Sequence, residues 1–255
     1  MSGRKILLKA LPAAIPFVGV TLALEWLVRA GWIRAFLFPP PSAIFLTMLQ
    51  DWPELFAALM KTSAGAVAGF ALSAIGGIAI AVFLSSSRAI QQAFYPYAVF
   101  FQTVPIIAIA PLLVIWFGYG MRTVIASAFI ASIFPVIANT LTGLLSTDPA
   151  LRDLFRLYGA SPSATLWKLR FPAALPQILT GLRIAGGLAV IGAIVGEFIG
   201  GQGLGSVVDV ARTQQRTDKV FAAVLLASVL GLALFASINI LSRVALRRWH
   251  ASEQN

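Results

Sequence analysis

The chain contains no cysteine and a single histidine, His250, five residues from its end. Disulfides and thiol nucleophiles are therefore excluded, and zinc and haem lose their usual ligands. Charge is also scarce: 11% of the 255 residues are Asp, Glu, Lys or Arg, against roughly 25% in a soluble domain. Acid is the rarer sign, 9 residues against 19 basic ones, which leaves a formal charge of +10. A nucleic-acid binder gathers such an excess into a patch or stripe, whereas here single basic residues punctuate apolar runs. No nucleic-acid partner and no cofactor or metal are expected. The phosphate-cradling pattern G-x-x-x-x-G-K-[ST] is missing as well, so the chain is not expected to cradle ATP by that means.

What is abundant is apolar sequence, 59% of the total. A bilayer core takes about 20 mostly apolar residues per helix, and such runs fall near residues 11–30, 62–85, 97–118, 122–145, 175–199 and 220–245. The expected fold class is all-α, a polytopic membrane bundle of six transmembrane helices. Arg4, Lys5 and Lys9 before the first run also suit a leader peptide, but Glu25 sits badly in one and no A-x-A cleavage site comes after it. Placing both termini in the cytoplasm puts twelve of the 19 basic residues inside, the side that Lys and Arg favour. Three prolines, Pro39, Pro40 and Pro41, end the first run. Ser42 is a candidate cap for a new helix, and residues 43–61 suit one or two short helices on the outer membrane surface.

Small residues and prolines refine the spans. Gly65 and Gly69, and Gly192, Gly196 and Gly200, recur every four residues, the spacing that lets helix backbones approach closely. Pro105 and Pro111 in the third run and Pro135 in the fourth each delete a backbone hydrogen bond. The carbonyls they free need a neighbouring helix or a wet cavity, so these two spans are the candidates for lining a path. Polar residues inside spans are costly and mark function or interhelical contact. Gln102, Pro105 and Asn139 are assigned to the pathway on that basis, with Glu197 near the outer rim as a gate or structural contact.

The loop at 146–175 differs from the others. Leu151, Leu154, Phe155 and Tyr158 recur at helical spacing, opposite Arg152, Asp153 and Arg156. Gly159 supplies a helix end, and Ser161-Pro162 supplies a cap and a first-turn proline for a second helix through Trp167 and Lys168. The prolines of Phe171-Pro172-Ala173-Ala174-Leu175-Pro176 are expected to stop that helix and return the chain to the bilayer. The residues alone thus describe a membrane bundle with a helical elbow beneath it. A transporter subunit, a secondary transporter or channel half, and a membrane scaffold all remain open on these grounds. Ionisable residues near the midplane, which ion coupling would require, are lacking because Glu25 and Glu197 fall near span ends.

At the elbow the sequence resembles the transmembrane subunits of ATP-binding-cassette importers, whose EAA loop reads EAA, three residues, Gly and, about a dozen residues on, Leu-Pro. Here the triplet reads Asp153-Leu154-Phe155, with Gly159-Ala160-Ser161 and Leu175-Pro176 after it. The carboxylate and the spacing to Gly159 are kept, and both alanines are replaced. Pro41-Ser42-Ala43, the run from Gln102-Thr103-Val104-Pro105 to Gly118, and Gly203-Leu204-Gly205 are similar to the branch serving nitrate, sulfonates, taurine, bicarbonate and thiamine or riboflavin precursors. The resemblance implies a type I importer fold in an inner membrane. Its division would be an N-terminal span and outer segment at 1–61, a five-helix core at 62–246 with its cytoplasmic loop at 146–175, and a cytoplasmic tail at 247–255. It further implies cytoplasmic ATPase subunits coupled through Asp153, Gly159, Ala160 and Ser161, a periplasmic or lipid-anchored solute-binding protein, and a second permease copy. The solute is expected to be a small organic or anionic molecule, with a heteroaromatic precursor favoured over an alkylsulfonate on the likeness at residues 102–105.

Overall fold

The computed structural model describes residues 3–246, so the expected tail at 247–255 lies outside the described residues. All regular structure among them is helical. Helix α1 spans Gly3–Arg29, α2 Pro41–Gln50, α3 Trp52–Leu84, α4 Arg88–Thr103, α5 Ile106–Phe117 and α6 Met121–Leu145. Then come α7 Pro149–Leu157, a one-turn α8 Pro162–Thr165, a π-helical turn Leu166–Arg170, α9 Phe171–Gly200, α10 Leu204–Thr213 and α11 Thr217–Leu246. Four stretches are long and apolar enough to cross a bilayer, Trp52–Leu84, Met121–Leu145, Pro162–Gly200 and Thr217–Arg243, and α4 with α5 makes a fifth if the pair is one span. The sixth expected span corresponds to α1, which at 27 residues is about 40 Å long.

Helix α6 lies between α3 and α9, and small residues bring the three together. A Cβ on Gly69 would come within 2.5 Å of Ala128 Cβ and 2.9 Å of the Ile125 carbonyl. From the other side, one on Gly192 would sit 2.7 Å from both Ala131 Cβ and the Ser127 carbonyl. Gly65 and Gly69 on one side and Gly192 and Gly196 on the other thus abut the same stretch of α6, as their four-residue spacing predicts, while Gly200 meets Tyr119 and Val114 beyond it. Ser127 Oγ donates to the Gly192 carbonyl at 2.7 Å, and Ser132 Oγ donates to Ser73 Oγ at 2.9 Å. Lipid supplies no hydrophobic drive between helices, so close packing and such hydrogen bonds hold the bundle.

Four expectations are corrected. The third span is not one kinked helix: α4 and α5 meet at 98°. Pro105 has no N–H to continue α4, and Val104 before it takes an extended conformation, ψ 121°. The surface segment at 43–61 is only half a surface helix, because Trp52 opens α3 with Pro53 in its first turn. Nor does Ser42 cap α2, which starts one residue earlier. Instead Ser42 donates through its backbone N–H (3.0 Å) and Oγ (2.7 Å) to the Glu25 carboxylate of α1, which also takes Arg29 Nε at 2.6 Å. Finally, Pro172 and Pro176 do not stop the elbow's second helix. The chain runs without a break from Pro162 to Gly200, because Pro172 falls in the first turn of α9 and the widened π turn precedes it.

The bundle has two distinct ends. At one, the closing turns of α3 and α6 meet the elbow through Arg170. At the other, Gly120 N–H donates to the Gly200 carbonyl (2.7 Å), and Lys61 Nζ reaches Gln202 at 2.7 Å. There an ionic cluster also joins the α2–α3 junction to the start of α11: Lys219 lies 3.2 Å from Asp51 and 2.7 Å from Glu54, and Arg216 lies 3.0 Å from Asp51. Lys219 is only 7% exposed, so removing its acids would strand a buried cation rather than break a surface pair.

Replacing Gly192 with leucine should drive α9 off α6 and lower stability by about 1–3 kcal/mol. Gly187, one helical turn away with nothing within 4 Å of its Cβ position, is the control. Thermal unfolding of both variants in detergent checks this, and equal melting temperatures would refute the packing role.

Candidate functional site

The elbow is built by local sequence. Asp148 caps α7, its carboxylate accepting the Ala150 N–H at 2.8 Å, and Pro149 occupies the first turn. Gly159 ends the helix at φ +69° with nothing near its Cβ position, so backbone conformation rather than space requires glycine there. Ser161 then caps α8, its Oγ accepting the Ala164 N–H at 3.1 Å ahead of Pro162. The Gly159 end and the Ser161-Pro162 start agree with the sequence reading; the Asp148 cap is not part of it.

Asp153, Gly159 and Ser161 are exposed, and Ala160 is half-buried. Leu151, Leu154 and Tyr158 on the apolar face of α7 are exposed as well, Tyr158 by 84%. Helix α7 has no extensive contact with any span. A cavity of about 400 Å³ opens beside it, walled by Phe155, Tyr158, Ala160, Ala164 and Lys168. An amphipathic helix with its apolar face uncovered is an unfilled packing surface.

Arg170, which sequence reasoning counted only as a basic residue, fixes the other end of the elbow. Its Nε donates to the Leu144 carbonyl at 3.1 Å and its Nη2 to the Ser85 carbonyl at 3.3 Å. Leu144 belongs to the last turn of α6 and Ser85 closes α3, so one guanidinium holds the negative ends of two helices. Charge-assisted bonds of this kind contribute roughly 1.5–3 kcal/mol each. Beneath them Leu166 and Phe171 pack against Leu144, Ala174 and Ile178.

Of the four residues assigned to the pathway, two come together. Gln102 and Pro105 line a cavity of about 430 Å³ with Ala131 and Pro135 of α6 and Leu188 and Ile191 of α9. The helix break and the α6 proline thus border one space. Asn139 stands apart from that wall. Its Nδ2 donates to the Pro135 carbonyl at 2.9 Å, and its Cβ faces Gly181 at the crossing of α6 and α9.

Glu197 is at the opposite end and is 2% exposed, so it does not reach out to water. Its Oε2 accepts from Thr62 Oγ1 at 3.0 Å and from the Gly205 N–H at 2.9 Å, while Thr62 Oγ1 accepts the Leu204 N–H at 2.9 Å. A Cβ on Gly203 would overlap the carboxyl group. The carboxylate therefore sits at the N-terminus of α10 and ties α9, α10 and α3 together, favourably placed for the helix dipole. Thr62 escaped sequence analysis because a threonine inside an apolar helix carries no signal of a partner 135 residues away.

Long apolar helices, a bent helix pair facing a cavity and an elbow continuous with a span mark a polytopic membrane protein. The profile of the family described as "Binding-protein-dependent transport system inner membrane component" matches residues 73–249. The chain belongs to that family, and it is an ABC importer permease for small solutes, a multi-pass membrane protein. It is 38% identical over 228 residues to a "Probable ABC transporter permease protein" of Haemophilus influenzae, covering 87% of this chain and 91% of the relative. It is 36% identical to the "Formylaminopyrimidine transport permease protein ThiX" of Halalkalibacterium halodurans, covering 88% and 91%. To the "Putative aliphatic sulfonates transport permease protein SsuC" of Bacillus subtilis it is 32% identical, covering 87% and 81%. Its fold is that of the inward-facing MetNI methionine ABC transporter, with a TM-score of 0.67 at 18% identity over 77% of this chain and 98% of that one.

Replacing Glu197 with alanine should leave the Gly205 N–H without its acceptor, at about 1–3 kcal/mol, while the Thr62 hydroxyl keeps the Ala58 carbonyl. Hydrogen exchange at the start of α10 should quicken in Glu197→Ala and much less in Glu197→Gln. Unchanged exchange in Glu197→Ala would show that the carboxylate holds nothing.

Proposed function

We propose that this chain forms half of a solute pathway and is driven by a separate ATPase through the elbow at 151–170. The observation that carries the reading is the uncovered apolar face of α7, mounted at the end of the 39-residue rod Pro162–Gly200. Asp153 presents a carboxylate to the ATPase subunit, and Gly159, Ala160 and Ser161 let that partner approach the backbone. ATP binding closes two ATPase subunits and carries two elbows with them, shifting a two-state bundle from inward-open to outward-open. Two permease copies complete the conduit, and a periplasmic or lipid-anchored binding protein delivers the solute. The chain itself does no chemistry.

Gln102 and Pro105 face the solute in the cavity between the broken span, α6 and α9. Asn139 supports that wall from behind, and Glu197 fixes the outer rim. The core begins within α3 after residue 61, and the segment 1–61 is an accessory span with its outer helix. Both termini lie in the cytoplasm, which puts the elbow and Arg88 inside. The solute is a pyrimidine-type vitamin precursor, a reading supported by the 36% identity to the formylaminopyrimidine permease over nearly the whole of both chains. An alkylsulfonate is the second reading, supported by the likeness to SsuC.

Gly159→Trp should abolish uptake while membrane insertion stays intact, since the φ of +69° disfavours any side chain; normal transport by this variant would remove the elbow from the mechanism. Asp153→Lys should reduce the ATPase recovered with the purified permease, and undiminished recovery would return Asp153 to a solvated face. Reporter fusions after residues 88 and 160 should read cytoplasm and those near 45 and 210 the outside, the reverse pattern inverting the orientation. Competitive uptake of formylaminopyrimidine and an alkylsulfonate by cells expressing the whole transporter decides between the two solutes.

A further inference from the structure

We propose that Arg170 is the positioning residue that carries elbow movement into α3 and α6 as well as α9, an inference that rests on the coupling role given to the elbow. The covalent chain alone links the elbow to α9 through α8 and the π turn, and to α6 through residues 146–148. The second link is three residues that bond only to α6 and α7 themselves, and α3 has none. Force on α7 would therefore tilt α9 against its neighbours unless the elbow is also fastened to the ends of the other spans.

Arg170 supplies that fastening at the last residue of the π turn. Its two bonds go to different spans, Nε to Leu144 of α6 and Nη2 to Ser85 behind α3. Both acceptors are carbonyls at helix C-termini, where a cation is favoured. A guanidinium presents its donors in a rigid planar fork, so it can hold two such acceptors at once, whereas a lysine ammonium is a point charge on a flexible stem. The π turn widens the helix immediately before α9 and so sets the direction of Arg170; such turns recur at functional positions. The seat is firm because Leu166 and Phe171 pack with Leu144, Ala174 and Ile178, and Val82 of α3 joins the same cluster. The α3, α6 and α9 ends therefore meet in one block around a single cation, and α7 projects from that block as its handle.

The test uses the whole transporter, permease, ATPase and binding protein, reconstituted in liposomes, with uptake and ATP hydrolysis measured in the same sample. Arg170→Met should still retrieve the ATPase and hydrolyse ATP, but solute moved per ATP should fall about tenfold, within the range typical of coupling between sites. Arg170→Lys should recover part of that ratio. Spin labels on Leu157→Cys and Ser86→Cys should keep one separation with and without ATP in the otherwise native protein, and change it in Arg170→Met. Native solute per ATP in Arg170→Met overturns the proposal. So does a loss of uptake that only parallels the loss of folded complex in both variants, which makes Arg170 merely structural. A native permease that retrieves no ATPase would instead overturn the function proposed for the elbow.

Discussion

Close approach of α6 to α3 on one side and α9 on the other is the constraint that organises this molecule. In a bilayer the tails of lipids solvate leucine as well as another helix does, so association must come from contact and hydrogen bonding. Gly69 and Gly192 admit the α6 backbone at distances that no side chain would allow. Ser127 and Ser132 then bond across the gaps so created. With α6 held from both sides, its two ends become fixed points. The break between α4 and α5 is aimed at Ala131 and Pro135 near the middle of α6, and the elbow is anchored at the C-terminal end of that helix.

The two ends are held by opposite chemistry. At the elbow end, a cation gathers neutral carbonyls that helices α3 and α6 leave open. At the far end the buried Glu197 carboxyl group takes the Gly205 N–H at the start of α10 and the Thr62 hydroxyl, which in turn takes the Leu204 N–H. Each arrangement answers the unsatisfied groups that every helix terminus presents, with the sign of charge the helix dipole prefers there. Glu25 does the same for α2 from within α1.

Much of this was legible in the residues because it is local. Asp148-Pro149, Gly159 and Ser161-Pro162 settle helix ends within three or four positions of themselves, and glycines spaced by four announce a contact face whatever the partner. The prolines were harder to interpret. Pro105 breaks its span outright, yet Pro172, directly behind a π turn, and Pro176, inside α9, are absorbed in a continuous helix. The same residue type thus has opposite outcomes, decided by hydrogen-bond register that a pattern of letters does not carry.

The order of residues was enough to specify a helical membrane bundle with an amphipathic elbow, because apolar length and helical periodicity depend on neighbours along the chain. Packing in three dimensions was needed to establish that Gln102 and Pro105 share a cavity while Asn139 stands behind it, that Glu197 is buried against Thr62 and Gly205, and that Arg170 joins three spans. The hydrogen bonds around Glu197 and Thr62 link residues from 8 to 142 positions apart, and they exist only once glycine contacts have set the angles and separations of the helices. A polar residue in an apolar run declares that it needs a partner; which partner it finds is a property of the packed bundle.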